Sequence, residues 1–349
     1  MAAYLVTGGA GFIGSNYVYR LLRRGHSVTI LDNLSRAGAP LNLAWLEGTF
    51  GRGAFRFERG DLRDAALVER CARQTDVIVH LGGQVAVTKS MSDPREDFEA
   101  NAIGTFNVLE AARRAERDPI VIYASTNKVY GGMQSTPVVE EATRWRYKDL
   151  EHGCPESQPL DFHSPYGCSK GTGDQYARDY ARMFGLRTVV FRQSCVYGPR
   201  QFGSDDQGWI SWMMLAAVTG APITIYGDGK QVRDVLHVED LMDAYDAAIE
   251  RIDVARGKAY NVGGGSPNRL AVWAEFGPML ERLVGRPIPV SWAPWRAGDQ
   301  RVFHADIRRA VQDLGWEPRI GLDRGLQELF DWVQAHGHLI GELAAAPGT

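Results

Sequence analysis

The stretch Tyr4-Leu5-Val6-Thr7-Gly8-Gly9-Ala10-Gly11-Phe12-Ile13-Gly14 runs from a short apolar segment through a glycine-rich turn into a helical pattern. Read as strand, turn and helix, its Gly8, Gly11 and Gly14 form a GxxGxxG arrangement suited to phosphate. The first glycine makes the tight turn, the second lets the backbone approach a pyrophosphate, and the third lets helix pack on strand. The helix N-terminus adds N–H donors and partial positive charge. Taken alone, such a turn is a weak signal, since a purely structural turn can carry the same glycines. Asp32, eighteen residues after Gly14 at the end of the next strand pattern, strengthens the dinucleotide reading. A carboxylate there accepts both ribose hydroxyls and repels a 2′-phosphate, which favours NAD over NADP. Arg36 is the one nearby guanidinium that would suit a phosphate instead. Asp61-Leu62, after a third strand pattern, suits an adenine edge.

Outward from this turn, strand and helix patterns alternate. Tyr4–Thr7, Ser27–Asp32, Phe55–Arg59, Val77–His80, Ile120–Ala124 and Thr188–Phe191 are short β-rich runs. Helical stretches Gly14–Arg24, Asp64–Gln74, Phe98–Arg114 and Ser169–Phe184 lie between them. The expected fold class is α/β, a doubly wound parallel (Rossmann) sheet over residues 1–191. Residues 192–349 are expected to form mainly a smaller α+β substrate lobe, with a segment of about 232–263 returning to the first domain. The tail Leu343–Thr349 is expected to be poorly ordered.

Composition sets further bounds. The 39 basic and 42 acidic residues give a net charge of −3, which argues against a nucleic-acid partner. No apolar run approaches a membrane span, and a strand starting at Tyr4 leaves no room for a signal peptide. The four cysteines, Cys71, Cys154, Cys168 and Cys195, make no CxxC pair and no zinc spacing with the eight histidines. Free thiols in a reducing cytoplasm and no metal are therefore expected.

The candidate chemistry is carried by Tyr166-Gly167-Cys168-Ser169-Lys170. On a helix, positions i and i+4 share a face, so Tyr166 and Lys170 reach one site. A nearby ammonium is expected to lower the tyrosine pKa, letting Tyr166 take a proton from a substrate hydroxyl while hydride leaves. Ser125-Thr126 ends a strand pattern, and the Thr126 hydroxyl can share the reacting oxygen. His80 has the simpler expectation of a buried, hydrogen-bonded residue, and Met213-Met214 with Trp209 and Trp212 that of a helix core.

With these residues in place, Thr7–Ser15, Asp32–Arg36, Ser125–Gly131 and Tyr166–Lys170 together resemble the extended short-chain dehydrogenase/reductases that act on nucleotide sugars. The likeness covers nearly the whole chain. Leu160–Gly171, Arg200-Gln201-Phe202, Asp206-Gln207-Gly208-Trp209 and Gly229–Asp234 are more particularly similar to the CDP-paratose (CDP-tyvelose) 2-epimerase group. This resemblance implies a redox-neutral, NAD-dependent inversion at C2 of a CDP-hexose. It also implies cofactor contacts at Phe12, Ile13, Asn33, Ser35, Leu81, Gly82, Gly83, Gln84, Asn101, Ser125, Gln193 and Val196. Substrate contacts are implied at Val87, Thr126, Asn127, His163, Cys195, Arg200, Gln201 and Gln207. Arg233 and Arg296 would hold the diphosphate, and Asp299 the ribose hydroxyls.

Departures from the family pattern are informative. Related 4,6-dehydratases have an Asp-Glu pair after the threonine, where this chain has Asn127 and Lys128. Elimination therefore lacks its carboxylates, although Lys128 is as readily a structural residue. Leu81-Gly82-Gly83-Gln84 replaces a commoner Leu-Ala-Ala-Gln, and Cys195 stands where many relatives have asparagine. His163 either senses the C2 region or only enters the helix. Met133–Asp161, carrying Arg144, Arg146, Tyr147 and Lys148, is either a lid over the site or a surface excursion. A 4-epimerase, or a non-catalytic NAD or nucleotide-sugar sensor, are the competing functions. The resemblance further implies a homodimer or homotetramer through Phe98–Arg114 and Ser169–Phe184, whose apolar residues also fit plain sheet packing.

Overall fold

The computed structural model describes residues 1–204, 207–296 and 299–345. Asp206 and the Ala297-Gly298 pair of the Trp295–Asp299 run lie outside the described residues. Strands β1 (Ala3–Thr7), β2 (Ser27–Asp32), β3 (Arg56–Arg59), β4 (Val77–His80) and β5 (Ile120–Thr126) join Arg187–Gln193 and Ala259–Val262 in one sheet. The order of the seven is 259–262, 187–193, β5, β4, β1, β2, β3, with every pairing parallel. The chain leaves β1 towards β2 on one side and returns to β4 on the other. That reversal opens a crevice at the carboxyl ends of the strands, where ligands of such sheets bind.

Strand composition explains the layering. Val77–His80 is wholly buried and β5 nearly so, as expected for central parallel strands covered on both faces. One core lies between the sheet and helix α1 (Phe12–Arg23), drawing on Tyr17, Val18, Ile30, Leu241 and Tyr245. The opposite face packs Leu5, Ile78, Val108, Val121 and Tyr180. Arg20 on α1 donates to Glu239, Asp243 and Asp246 at 2.6, 2.6 and 2.9 Å, binding the helix Val238–Glu250 to α1. The smaller lobe has its own core around Met213, Met214, Phe276, Leu280 and Leu329; the two methionines are helix core, as expected.

Four expectations need correction. The helix carrying Tyr166 begins at Ser164, not Ser169, with Pro165 in its first turn. Proline is favoured there because its missing N–H would have no helical partner. The helix expected over Phe98–Arg114 is broken into Pro94–Phe98, a π-helical turn Glu99–Ile103 and Gly104–Arg114. The final helix, Leu322–Ala345, continues through the first residues of the supposed disordered tail; residues 346–349 lie outside the described residues. The stretch Met133–Asp161 is not a free lid. It forms a hairpin, Val138–Glu140 with Trp145–Tyr147, and is pinned to the smaller lobe. Arg144 grips Glu275 through two bonds of 2.7 Å, the Trp145 indole donates to Asp228, and buried Tyr147 donates to the Val302 carbonyl.

Candidate active site

At the end of β1 the chain turns so tightly that two positions admit no side chain. Gly8 has φ +67°, and a Cβ there would lie 2.7 Å from the Gly82 nitrogen. A Cβ on Gly14 would come within 2.2 Å of the Gly8 carbonyl oxygen. Gly11 caps α1 without any side-chain acceptor, and the first turn holds no carboxylate. The N–H groups of Phe12 and Ile13 thus begin the helix with no acidic residue in its own first turn to occupy them.

Asp32 at the end of β2 accepts from the Ala10 N–H at 3.0 Å and the Leu34 N–H at 2.8 Å. Burial pushes its carboxyl upward while these N–H groups oppose the shift. Asn33 bonds Asp61 at 3.0 Å, and its own oxygen accepts from the Ser35 N–H. Arg63 chelates Asp61 and holds that carboxyl well below the usual range. The Asp61 carboxylate is therefore already engaged rather than presented free to an adenine edge. Arg36 donates to Gln207 at 3.0 Å, so a residue expected on the cofactor binds one expected on the substrate.

The ends of β1 and β4 are tied by His80, as the simpler expectation held. It bridges the Thr7 and Thr105 hydroxyls at 2.8 and 3.0 Å, and burial drives its pKa down to about 3. Leu81 donates to the Thr7 carbonyl and Gly82 to the Thr7 hydroxyl. Gly83 lies against the Asn101 side-chain oxygen, which is buried and has no hydrogen-bond partner. The Asn101 amide nitrogen bonds the Gln84 carbonyl, Asp97 and Ser169. Asp97, wholly buried, collects Gln84, Asn101 and Ser169 at 2.9, 3.1 and 2.6 Å.

Thr126, Tyr166 and Lys170 converge here. The Thr126 hydroxyl bonds the Tyr166 phenol and accepts the Lys128 N–H at 3.2 Å. Buried Lys170 lies 4.5 Å from the Tyr123 ring centroid. Burial lowers its pKa to about 8 against the opposing charges of Asp97 and Asp174. The expectation that the ammonium lowers Tyr166 is not met: burial pushes the phenol up to about 12, and the Thr126 bond only partly offsets this. The Ser125 hydroxyl is turned from the crevice to Asp174 at 2.8 Å. Asp174 is also chelated by buried Arg192 at 2.9 and 3.0 Å. Neither Asp97 nor Asp174 was singled out from sequence, because nothing local distinguishes them from surface carboxylates.

On the lobe side, the groups expected on the substrate partly bind each other. Arg233 donates to Asp299 at 2.6 Å, so that carboxylate is engaged rather than presented free to ribose. Arg296 lies 4.0 Å over the Tyr226 ring. Cys195 is half-buried; burial raises its thiol, and Arg233 and Lys128 lie near enough to oppose that rise. Asn127 is buried beside Thr126, and Val87 opens the short helix Val87–Ser92. Gln193 donates to the Tyr245 hydroxyl at 2.6 Å, and half-buried Val196 offers its carbonyl to Gln201. Gln201 is internal, its amide spent on Val196 and Ser211. Arg200 is bracketed by Trp45 and Trp332, 4.0 and 5.9 Å from their centroids, where burial lowers it to about 10. The side chains of these two residues pack against the protein in this way. His163 occupies the position before the catalytic helix without a side-chain capping bond, and its ring lies 3.1 Å from the Asp161 carboxylate.

The cradle without side chains, the helix end without a carboxylate, Asp32 and the orphaned Asn101 oxygen fit a bound dinucleotide. No group of three or more metal-ligating side chains exists among the described residues. Residues 4–263 match the NAD dependent epimerase/dehydratase family, and the chain belongs to it. It is an NAD-dependent epimerase, an isomerase of the extended short-chain dehydrogenase/reductase kind. It is 45% identical over 338 residues to the CDP-paratose 2-epimerase of Salmonella typhi, covering 95% of this chain and 99% of that one. Its fold is similar to a UDP-glucose 4-epimerase from Thermotoga maritima solved with UDP-glucose (TM-score 0.81, 29% identity, 95% and 99% coverage). It is also similar to a dTDP-glucose 4,6-dehydratase from Streptomyces venezuelae solved with NAD (TM-score 0.83, 29% identity, 97% and 99% coverage).

Proposed function

We propose that this chain inverts C2 of a nucleotide-activated hexose, with a CDP-sugar such as CDP-paratose as substrate. The observation that carries the reading is a complete Thr126–Tyr166–Lys170 trio followed by Asn127 and Lys128, with no carboxylate there to drive elimination. Similarity to the Salmonella CDP-paratose 2-epimerase supports the regiochemistry and the nucleotide. Bound NAD supplies the hydride acceptor and donor. Tyr166 removes the proton from the substrate hydroxyl and returns it after the keto-sugar has turned over. Thr126 orients that oxygen through its bond to Tyr166 and is the group that opposes the rise of the phenol, while Lys170, one turn along the same helix, carries a buried positive charge beside the site. The glycine turn, the α1 N-terminus and Asp32 hold the dinucleotide.

The reading includes a homodimer built on the helix Ser164–Phe184 and its neighbour Gly104–Arg114, and a cytoplasmic location that suits four free thiols. No helix among the described residues is long and apolar enough to cross a membrane.

Proton NMR in D2O tests the reaction on purified protein, with no cofactor added, against CDP-paratose, CDP-glucose and the UDP- and GDP-hexoses. Inversion at C2 without deuterium entry is the expected result. Inversion at C4, deuterium at C5 or C6, or binding without any change in the sugar would each replace the reading.

A further inference from the structure

Two residues beyond Thr126, the chain places a cation that makes no ion pair of its own among the described residues, with Asp299 the carboxylate whose charge reaches it. Lys128 belongs to the tight turn Asn127–Tyr130, and its N–H is fixed to the Thr126 hydroxyl at 3.2 Å. Its carbonyl accepts from Gly131, and the turn packs against the catalytic helix, where a Cβ added to Gly167 would touch the Lys128 carbonyl. The turn is therefore locked to both catalytic elements. The side chain is half-buried and faces Arg233, Asp299 and Cys195 across the cleft between the lobes. Among the described residues its ammonium has neither a hydrogen bond nor an ion pair. Asp299 is spent on Arg233 at 2.6 Å. Two cations and one carboxylate leave this corner with an excess positive charge, and burial and Arg233 hold the lysine below its ordinary pKa. An unpaired ammonium in a partly dry site is costly unless an anion joins it.

The chemistry of the substrate says which anion can reach this corner. In a nucleotide-activated hexose the β-phosphate hangs on C1, and C2 is the next carbon. When C2 is the carbon presented to Thr126 and Tyr166, the β-phosphate must lie beside the turn that carries Thr126. When C4 is presented, the ring separates the phosphate from that turn.

We infer that Lys128 is a specificity-determining residue, binding the sugar-proximal phosphate of the substrate and so presenting C2 rather than C4 to the catalytic trio. This rests on the C2 reading above. Arg233 meets the diphosphate from the lobe, while Lys128 meets it from the catalytic turn, and the sugar can swing between them to offer its other face.

The experiment compares binding of CDP and CMP, and of UDP and UMP, to the NAD-loaded chain by titration calorimetry, in the wild type, Lys128→Met and Lys128→Arg. A charge-assisted bond to phosphate makes the diphosphate preference of the wild type fall by about tenfold or more in K128M, with monophosphate affinity unchanged. K128R, which keeps the charge, retains the preference to within roughly threefold. C2 inversion is lost in step with the preference and restored in K128R. A thermal melt confirms that K128M folds, since methionine fills the same space without an unpaired charge. A preference unchanged in K128M overturns the inference and leaves the C2 reading standing. Failure of the wild type to bind any of these diphosphates, or to invert C2, overturns both.

Discussion

Lys170 is a cation kept where cations are disfavoured, and its neighbours decide whether it stays charged. Burial pulls it to about 8, while Asp97 and Asp174 pull the other way and the Tyr123 face lies beneath it. His80, held near 3 by burial, stays neutral and adds no repulsion at working pH. Asp97 is the sharper lever, because asparagine can keep the contact to Ser169 while removing the charge. Asp97→Asn takes away a group that raises Lys170, so the lysine loses its proton at lower pH. The alkaline limb of kcat/KM is expected to move down by about one unit, read from profiles between about pH 6 and 9. Superimposable profiles would show that Asp97 only braces the fold. The sequence made the Tyr166–Lys170 spacing visible, because i and i+4 always share a helix face. It hid Asp97, one of four carboxylates between Asp93 and Glu99 and the only one fully buried. The same limit explains Ser125, Arg200 and Gln201, which have a family motif's identity but side chains directed to Asp174, Trp45 and Ser211.

Elements with a plain local signal were legible, and those defined by distant partners were not. Central strands such as Val77–His80 announce themselves as unbroken apolar runs. The helix Ala39–Phe50 does not, because its apolar residues are spread around the axis instead of forming one stripe. Ala259–Val262 lies in the segment of about 232–263 expected to return to the first domain, but its place at the edge of the main sheet is defined by pairing with Arg187–Gln193, far away in sequence. The excursion Met133–Asp161 shows the same limit most clearly. Its polar composition resembles a surface loop, yet Met133, Tyr147 and Cys154 join a core with Val129, Val232, Phe303 and Ala305. Tyr147→Ala removes a buried ring and its bond to the Val302 carbonyl, and is expected to cost about 3–5 kcal/mol in urea unfolding. A detachable lid would lose turnover with stability intact, so a change below about 1 kcal/mol with lost activity would restore the lid.

At the scale of the whole molecule, the exposed apolar surface is not scattered. Phe98, Ile103 and Phe106 on one helical segment and Tyr176, Met183 and Phe184 on the catalytic helix are all exposed. Phe106 meets Tyr176 edge-on with centroids 6.0 Å apart, and Tyr176, Tyr180 and Phe184 continue the row at 6.2 and 4.9 Å. Contiguous aromatic rows of this kind mark association surfaces, because water contact with so much apolar area is unfavourable. Two copies meeting by a two-fold axis would pair the same helices against each other, burying on the order of 800 Å² per copy in a stable dimer. The catalytic helix would then be clamped along its outer face, opposite the side that carries Ser169 and Lys170 into the core. Association is thus expected to stiffen the element that sets the Tyr166–Lys170 geometry. Light scattering on the purified chain should give twice the chain mass, and Phe106→Asp combined with Phe184→Asp should give the single mass. Both positions are exposed, so the double variant keeps its core and its circular dichroism, but turnover falls with the dimer. A wild type that stays at the single mass at micromolar concentration would remove the interface, and an active monomeric variant would remove its link to the site.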